Sequence, residues 1–323
     1  MLRINEELRQ ESGLRLGVRM SLNLPVESVS NTAFLMAYCR ALESDRPDAL
    51  FRDPYARLLA GTRGEGFLQR FPGAAATAAG CIVRTCLLDE LILRVIREAA
   101  IDLVVNLGAG LDARPYRLPL QASLRWVEVD DCGVLAYKAS KLASHRPVCM
   151  LESFSMDLTD ASARQALFER LGGAAERVLV VTEGLLAYMT QEQVSSLAQD
   201  LFAQAQFQCW LTDIASMNGL RLIEQALPEP PRTSNVRLRF APEEGPAFFQ
   251  QYGWEVDECR SCLEEGRRLQ RFVLPEKLLA TFSNEQWEVL RTLAAIVKLK
   301  RTDPQTNTSH RRADRAFPYH PRV

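Results

Sequence analysis

IDLVVNLGAGLDARPYRLPLQASLRWVEVDD, from Ile101 to Asp131, reads as strand, glycine turn, short helical connection, second strand and acid. Leu103, Val104 and Val105 form a short apolar run of the kind that is buried on both faces of a sheet. It stops at Gly108-Ala109-Gly110. A backbone free of Cβ can turn sharply there and let a ligand approach. The second run, Leu124, Trp126, Val127 and Val129, ends among Glu128, Asp130 and Asp131. A carboxylate at that strand tip can accept two hydrogen bonds from a ribose diol. The stretch therefore predicts a nucleoside carried across the strand ends.

Gly108 to Ala113 formally fits G-x-G-x-x-G/A, and Asp130 stands at about the spacing of a dinucleotide site. The residues after the glycines argue against a pyrophosphate. Asp112 brings a negative charge where phosphates want a bare helix N-terminus, and Pro115 and Pro119 leave room for only a short helix. An acid beside the turn suits a cationic ligand such as S-adenosylmethionine, which carries a sulfonium and an ammonium. Two rivals share the same turn: an NAD(P)-dependent oxidoreductase and a non-catalytic nucleoside-binding relative. Asp112 and the want of a recognisable Tyr/Lys or histidine proton donor count against the first. An intact set of binding residues counts against the second.

The chain of 323 residues has a net charge of -1, so nothing in its electrostatics favours nucleic acid or an anionic membrane. No apolar run reaches membrane-spanning length, and MLRINEELRQESGLRLGVRM has no apolar segment of a secretory signal. These features predict a cytoplasmic protein. Eight cysteines are scattered without a zinc framework, Cys259 and Cys262 forming a lone C-x-x-C, and they read as structural. Of three histidines only His145 lies in the body, too few for a metal site or a Ser-His-Asp machine. No metal is expected.

In chain order, residues 1–20 suggest a weak amphipathic helix. Ser30 or Asn31 can cap a helix with Phe34, Leu35, Tyr38 and Leu42 on its apolar face, and Asp53-Pro54 starts another that ends near Gly61. Residues 81–100 are densely helical, with Arg84 in the first turn. Further strands follow: an edge-like one ending at Asp157-Leu158, Val178–Val181 ending at Glu183-Gly184, and one ending near Asp213. The proline-rich LPEPPRTSNVRLRFAPEEG predicts a lid after the fifth strand. A sixth strand starts at Gly253, and Leu293–Leu299 is the seventh. Strands alternating with helices imply an α/β fold with one doubly wound, mostly parallel, seven-stranded Rossmann-like sheet. The expected organisation is one domain over 1–301, with a helical cap at 1–80, a core at 81–301, a lid near 216–250 and a polar, disordered tail at 302–323.

VVNLGAGLDARPYRL, WVEVDDCGVLAYKASKL, Met156-Asp157-Leu158 and VTEGLLAYM together resemble the leucine carboxyl methyltransferase family of class I S-adenosylmethionine-dependent methyltransferases. SVSNTA, DPYA, CIVRT and GWEVDECRSCLEEGRRLQR resemble its bacterial branch, which includes polyketide O-methyltransferases of the tetracenomycin type. The likeness runs from about residue 28 to 300. It implies that Arg84 binds the cofactor carboxylate, that Gly108, Ala109 and Gly110 form the glycine turn, and that Asp130, with Asp131 beside it, takes the ribose. It further implies that Asp157 and Leu158 meet the adenine, and that Glu183 and Gly184 lie near the methionine moiety. Without the likeness, Arg84 reads as a surface arginine; Asp157-Leu158 after the third strand reads as an adenine pocket or Asp157 or Thr159 as a helix cap, two roles that can coexist.

Methyl transfer from a sulfonium is an in-line displacement that asks mainly for alignment and exclusion of water. A carboxylate acceptor is already ionised and needs no base, whereas a hydroxyl does. The scarcity of histidine therefore favours carboxyl methylation or an activated hydroxyl of a small molecule. Arg40, Tyr188 and Arg221 are the candidate acceptor contacts, and Arg232, Arg237 and Arg239 of the lid can pair with an acidic acceptor. Solvated lid charges are the plain alternative for the arginines.

Overall fold

The computed structural model describes residues 31–68, 74–226, 238–271 and 283–302. The expected N-terminal amphipathic arm, the proline-rich part of the lid with Arg232 and Arg237, and the tail from 303 onward lie outside the described residues.

Two helices open the chain, α1 (Asn31–Ser44) and α2 (Ala56–Leu68). The second does not stop at Gly61. That residue takes φ 54° and ψ -165°, a break that only glycine adopts at low cost, and a further helical turn follows it. α3 (Ala74–Glu98) starts seven residues before the expected Cys81, because its alanine-rich first turns favour a helix without showing an apolar period. β1 (Leu103–Leu107), the short α4 (Arg114–Arg117), β2 (Arg125–Asp130) and α5 (Cys132–Lys141) then build the predicted core stretch. β3 (Met150–Ser155), α6 (Ala161–Gly172), β4 (Val178–Thr182), α7 (Gln191–Ala203) and β5 (Phe207–Ala215) continue the alternation. α8 (Met217–Ala226) leads toward the lid. Gly245–Tyr252 is a 3₁₀ helix, and Gly253 closes it in the left-handed region at φ 86°. β6 (Trp254–Ser261), α9 (Cys262–Arg268), the helix Asn284–Arg291 and β7 (Ala294–Arg301) complete the described elements.

The strands form one sheet in the order β3-β2-β1-β4-β5-β7-β6. The first five run parallel, and β7 lies antiparallel to both β5 and β6. Both faces are covered, as the unbroken apolar strands predict. Leu103, Val105 and Leu107 pack among Leu167, Val194 and Leu201 of α6 and α7, whereas Val104 packs on Leu87, Leu91 and Val95 of α3. On the α1–α2 pair, Phe34, Ala37 and Leu59 pack against Leu111 and Ala113, just beyond the glycine turn. The cap thus sits over the carboxyl end of β1.

Thr302, assigned to the tail, belongs with the sheet. Its N–H and its hydroxyl both donate to the Gly253 carbonyl, at 2.9 and 3.0 Å. No helix among the described residues is long and apolar enough to cross a membrane.

α8 is held by a close approach. A Cβ at Gly219 would lie 1.9 Å from the Leu293 carbonyl oxygen, which also accepts the Ser216 N–H at 3.1 Å. Gly219→Ala therefore lifts α8 from the start of β7, with an expected loss of about 1–3 kcal/mol in urea unfolding. A variant as stable as the parent would mean that α8 does not hold this position in solution.

Candidate active site

The strand order reverses between β1 and β4, the place where open α/β sheets bind ligands. A cavity of about 790 Å³ opens there. Gly108 to Asp112 and Asp130 border one part of it, and Arg84, Glu183, Gly184 and Asp213 another. Met36, Leu220, Leu222, Ile223, Leu238 and Phe240 give it an apolar wall.

Gly108 has φ +68°, and a Cβ on it would come within 3.1 Å of Leu185, so both backbone and space ask for glycine. The next glycine is tied to the second strand: Asp130 accepts the Gly110 N–H at 2.6 Å and the Asp131 N–H at 2.7 Å. Burial raises the Asp130 carboxyl above its ordinary value, while these two backbone donors and Lys138 oppose the rise.

Behind the turn runs a continuous ion-pair network. Arg84 binds Glu183 at 3.0 Å and Asp213 at 2.9 Å. Arg114, almost wholly buried, binds Glu183 at 2.7 Å, Asp89 at 2.7 Å and Asp112 at 3.0 Å. Arg117 links Asp89 to Asp53, and Arg40 ends the run on Asp53 at 2.9 Å. Burial opposes the charge on Arg84, Arg114 and Glu183, and the opposite charges around each outweigh it. Arg84 and Arg114 are held more strongly protonated than usual, and Glu183 is held below its ordinary value by Arg114 and Arg84.

Asp112 shows the same balance, burial being outweighed first by Arg114, and its pKa falls from 3.8 to about 2. A depressed carboxyl stabilises the fold above its unfolded value, and that stabilisation is lost as pH falls through the folded one. Asp112 thus contributes roughly 2 kcal/mol above pH ~4, fading toward pH ~2. Measured against pH, the stability gap between the parent and Asp112→Asn should narrow from pH 5 down to 2. A gap independent of pH would refute the depressed carboxyl.

Comparison with known proteins follows from this geometry. The leucine carboxyl methyltransferase family matches residues 33–202, which hold the cap, the glycine turn and the first four strands. The chain belongs to that family. A relative from Parafrankia sp. (strain EAN1pec), named as an S-adenosyl-L-methionine-dependent methyltransferase, is 32% identical over 248 residues, 72% of this chain and 79% of its own. One of the same description from Frankia alni is 30% identical over 243 residues, covering 70% and 82%. Among solved structures, a DUF574 family protein from Streptomyces avermitilis has a TM-score of 0.53 at 12% identity, over 85% of this chain and 98% of that one. A structure from Thermobifida fusca YX, described as that of a methyltransferase, also has a TM-score of 0.53, at 15% identity over 88% of this chain and 100% of that one. Both show the fold, a Rossmann-like methyltransferase sheet.

As a member of this family, the chain can be compared position by position with what the resemblance implies. Arg84, Gly108, Ala109, Gly110, Asp130, Glu183 and Gly184 all border the one cavity. Arg84 is not the surface residue its isolated pattern suggests, since two carboxylates hold it. Asp131 instead caps α5, accepting the Gly133 N–H at 2.7 Å. Asp157 closes a turn by accepting the Thr159 N–H at 2.8 Å, and Leu158 packs in the core, so neither borders the cavity. Arg40 does border it, but its guanidinium ties the cap to the core through Asp53 and the Leu111 carbonyl, at 2.9 and 2.7 Å. Tyr188 lines the cavity with its hydroxyl 3.4 Å from that of Thr32. Arg221 is exposed on α8, away from it.

Three residues have more weight here than the sequence reading gave them. Asp112, read as facing a cationic ligand, spends its charge on Arg114 and on the Asn106 amide at 2.9 Å. Arg114 went unnoticed, although a charged residue wedged before Pro115 in so short a connection is a signal. Asp213 was marked only as the end of a strand. It accepts the Gly184 N–H at 2.7 Å with one oxygen and binds Arg84 with the other. His145 packs on Tyr55, outside the lining. The eight cysteines form no disulfide, and burial pushes the Cys262 thiol up to about 12, which removes it as a nucleophile at neutral pH. No group of three or more candidate metal ligands occurs among the described residues.

Proposed function

We propose that this protein is an S-adenosylmethionine-dependent O-methyltransferase that esterifies the carboxylate of a small, largely apolar acid. The observation that carries the reading is the single cavity joining Asp130 to the Arg84–Glu183–Asp213 cluster and to an apolar wall. Its volume suits a cofactor with a second small molecule beside it. The residues fit the cofactor by chemistry: a carboxylate at the tip of β2 for a diol, and mixed charges at the ends of β4 and β5 for a zwitterionic tail.

When bound, S-adenosylmethionine supplies an electrophilic methyl group on a cationic sulfur. The chain's own part is alignment. Gly108–Gly110 and Asp130 place one half of the cavity, and Glu183–Gly184, fixed by Arg84 and Asp213, places the other. A carboxylate acceptor requires no proton transfer. That matches a lining which, among the described residues, holds neither histidine nor lysine, and whose Glu183, Asp213 and Asp112 are already engaged by arginines. Met36, Leu222, Ile223 and Phe240 favour an acceptor with an apolar body, and the likeness to bacterial polyketide O-methyltransferases supports a secondary metabolite. The cap, sheet and lid are read as one catalytic unit over residues 1–301, extended by Thr302, acting in the cytoplasm.

The test is calorimetric titration with S-adenosylhomocysteine, with NAD⁺ and NADPH as controls, then an acceptor screen that begins with apolar carboxylic acids. Binding of the nucleoside alone and ester formation are expected. Binding of a dinucleotide instead would return the glycine turn to a dehydrogenase.

A further inference from the structure

The ion-pair network behind the cavity does not balance. Among the described residues it joins five carboxylates, Asp213, Glu183, Asp112, Asp89 and Asp53, to four guanidiniums, Arg84, Arg114, Arg117 and Arg40. One negative charge is left over. The network is most open to solvent at Arg84, Glu183 and Asp213, where the side chains are 16–22% exposed, whereas Arg114, Arg117 and Asp53 at its inner end are nearly closed off. Both members of the exposed end that carry negative charge border the cavity. Glu183 has two arginine partners, Arg84 and Arg114, but Asp213 has Arg84 alone, at 2.9 Å, and its other oxygen takes only a backbone N–H. Asp112, the other lining carboxylate with one arginine partner, is more buried and also accepts the Asn106 amide and the Arg114 N–H, so the surplus is least neutralised at Asp213.

We propose that Asp213 is a specificity-determining residue, whose charge makes the cavity favour the cationic cofactor over the neutral product left after methyl transfer. The inference rests on the cofactor assignment above and adds to it. S-adenosylmethionine carries one net positive charge near neutral pH. S-adenosylhomocysteine, having lost the methyl group and with it the sulfonium, carries none. The two differ in little else, so one carboxylate charge in excess beside the cavity acts on one and not on the other. The same charge disfavours an anionic acceptor until the cation is in place, so cofactor binding precedes acceptor binding. After transfer the sulfonium and the acceptor's charge are both gone, and the network again holds its surplus.

Asp213→Asn keeps an acceptor for the Gly184 N–H and removes the charge. Asp213→Ser is the second neutral variant, and Asp213→Glu the charge-keeping control. Each is titrated with S-adenosylmethionine and with S-adenosylhomocysteine by calorimetry, after its fold has been checked by circular dichroism. The ratio of the two affinities is the readout, because loosening of Arg84 or Gly184 would weaken both ligands alike. The neutral variants are expected to lower the ratio, methionine form over homocysteine form, about tenfold, and Asp213→Glu to restore most of it. A ratio unchanged in both neutral variants would leave Asp213 a structural tie and overturn the inference, with the cofactor assignment intact. Failure of the parent protein to bind either nucleoside would overturn both.

Discussion

Arg114→Met is expected to cost about 3–5 kcal/mol of stability, the range for removing one partner from a buried ion pair. Arg114 is the centre of its network, touching Asp89, Asp112 and Glu183 at 2.7–3.0 Å with its side chain almost wholly shielded. Methionine fills much of the volume but leaves Asp112 with only the Asn106 amide and the backbone N–H of residue 114. Urea unfolding of the parent and variant measures the loss. Adding Asp112→Asn to the variant should recover part of it, since the stranded charge is then removed. A loss below about 1 kcal/mol would show that the three carboxylates find other partners and that the network is not held together at Arg114.

The second large effect falls on ligand binding. On the proposed assignment, Asp130→Ala weakens S-adenosylhomocysteine binding by about 1.5–3 kcal/mol, some ten- to a hundredfold or more. Two losses combine. The ribose hydroxyls lose a charged acceptor, and the Gly110 N–H, bonded at 2.6 Å, loses the carboxylate that fixes the turn. Asp130→Asn separates them, because an amide oxygen can still accept from Gly110. It should bind better than the alanine variant and less well than the parent. Equal affinity in all three proteins would place the ribose elsewhere.

The sheet was legible because its information is local. Val178–Val181 and Leu103–Val105 are unbroken apolar runs with glycine at their ends, and such runs can hardly be other than buried strands. The glycine turn, Asp130 and Glu183 were legible for the same reason, each standing at a fixed step from a strand end. The ion-pair network was not. Arg84 and Asp213 are 129 residues apart, and Arg114 and Glu183 are 69 apart. Nothing in the neighbours of an arginine says whether it will meet water or a buried acid. Asp157-Leu158 reads as an adenine contact or, through Asp157 or Thr159, as a helix cap; in the fold the Asp157 carboxylate closes a turn with Thr159, and Asp160 caps α6.

The antiparallel β7 has a consequence for how the molecule is made. β6 leaves the ribosome first, yet its only neighbour in the sheet is β7, and β7 must also pair with β5. Until residues 294–301 emerge, the nascent chain has an unpaired strand at β6 and a bare edge at β5, two surfaces prone to mispairing. The same last segment brings in Ala294, which borders the cavity. Completion of the sheet and of the binding cavity thus waits on one event, the arrival of β7, and a chain cut short before it has finished neither.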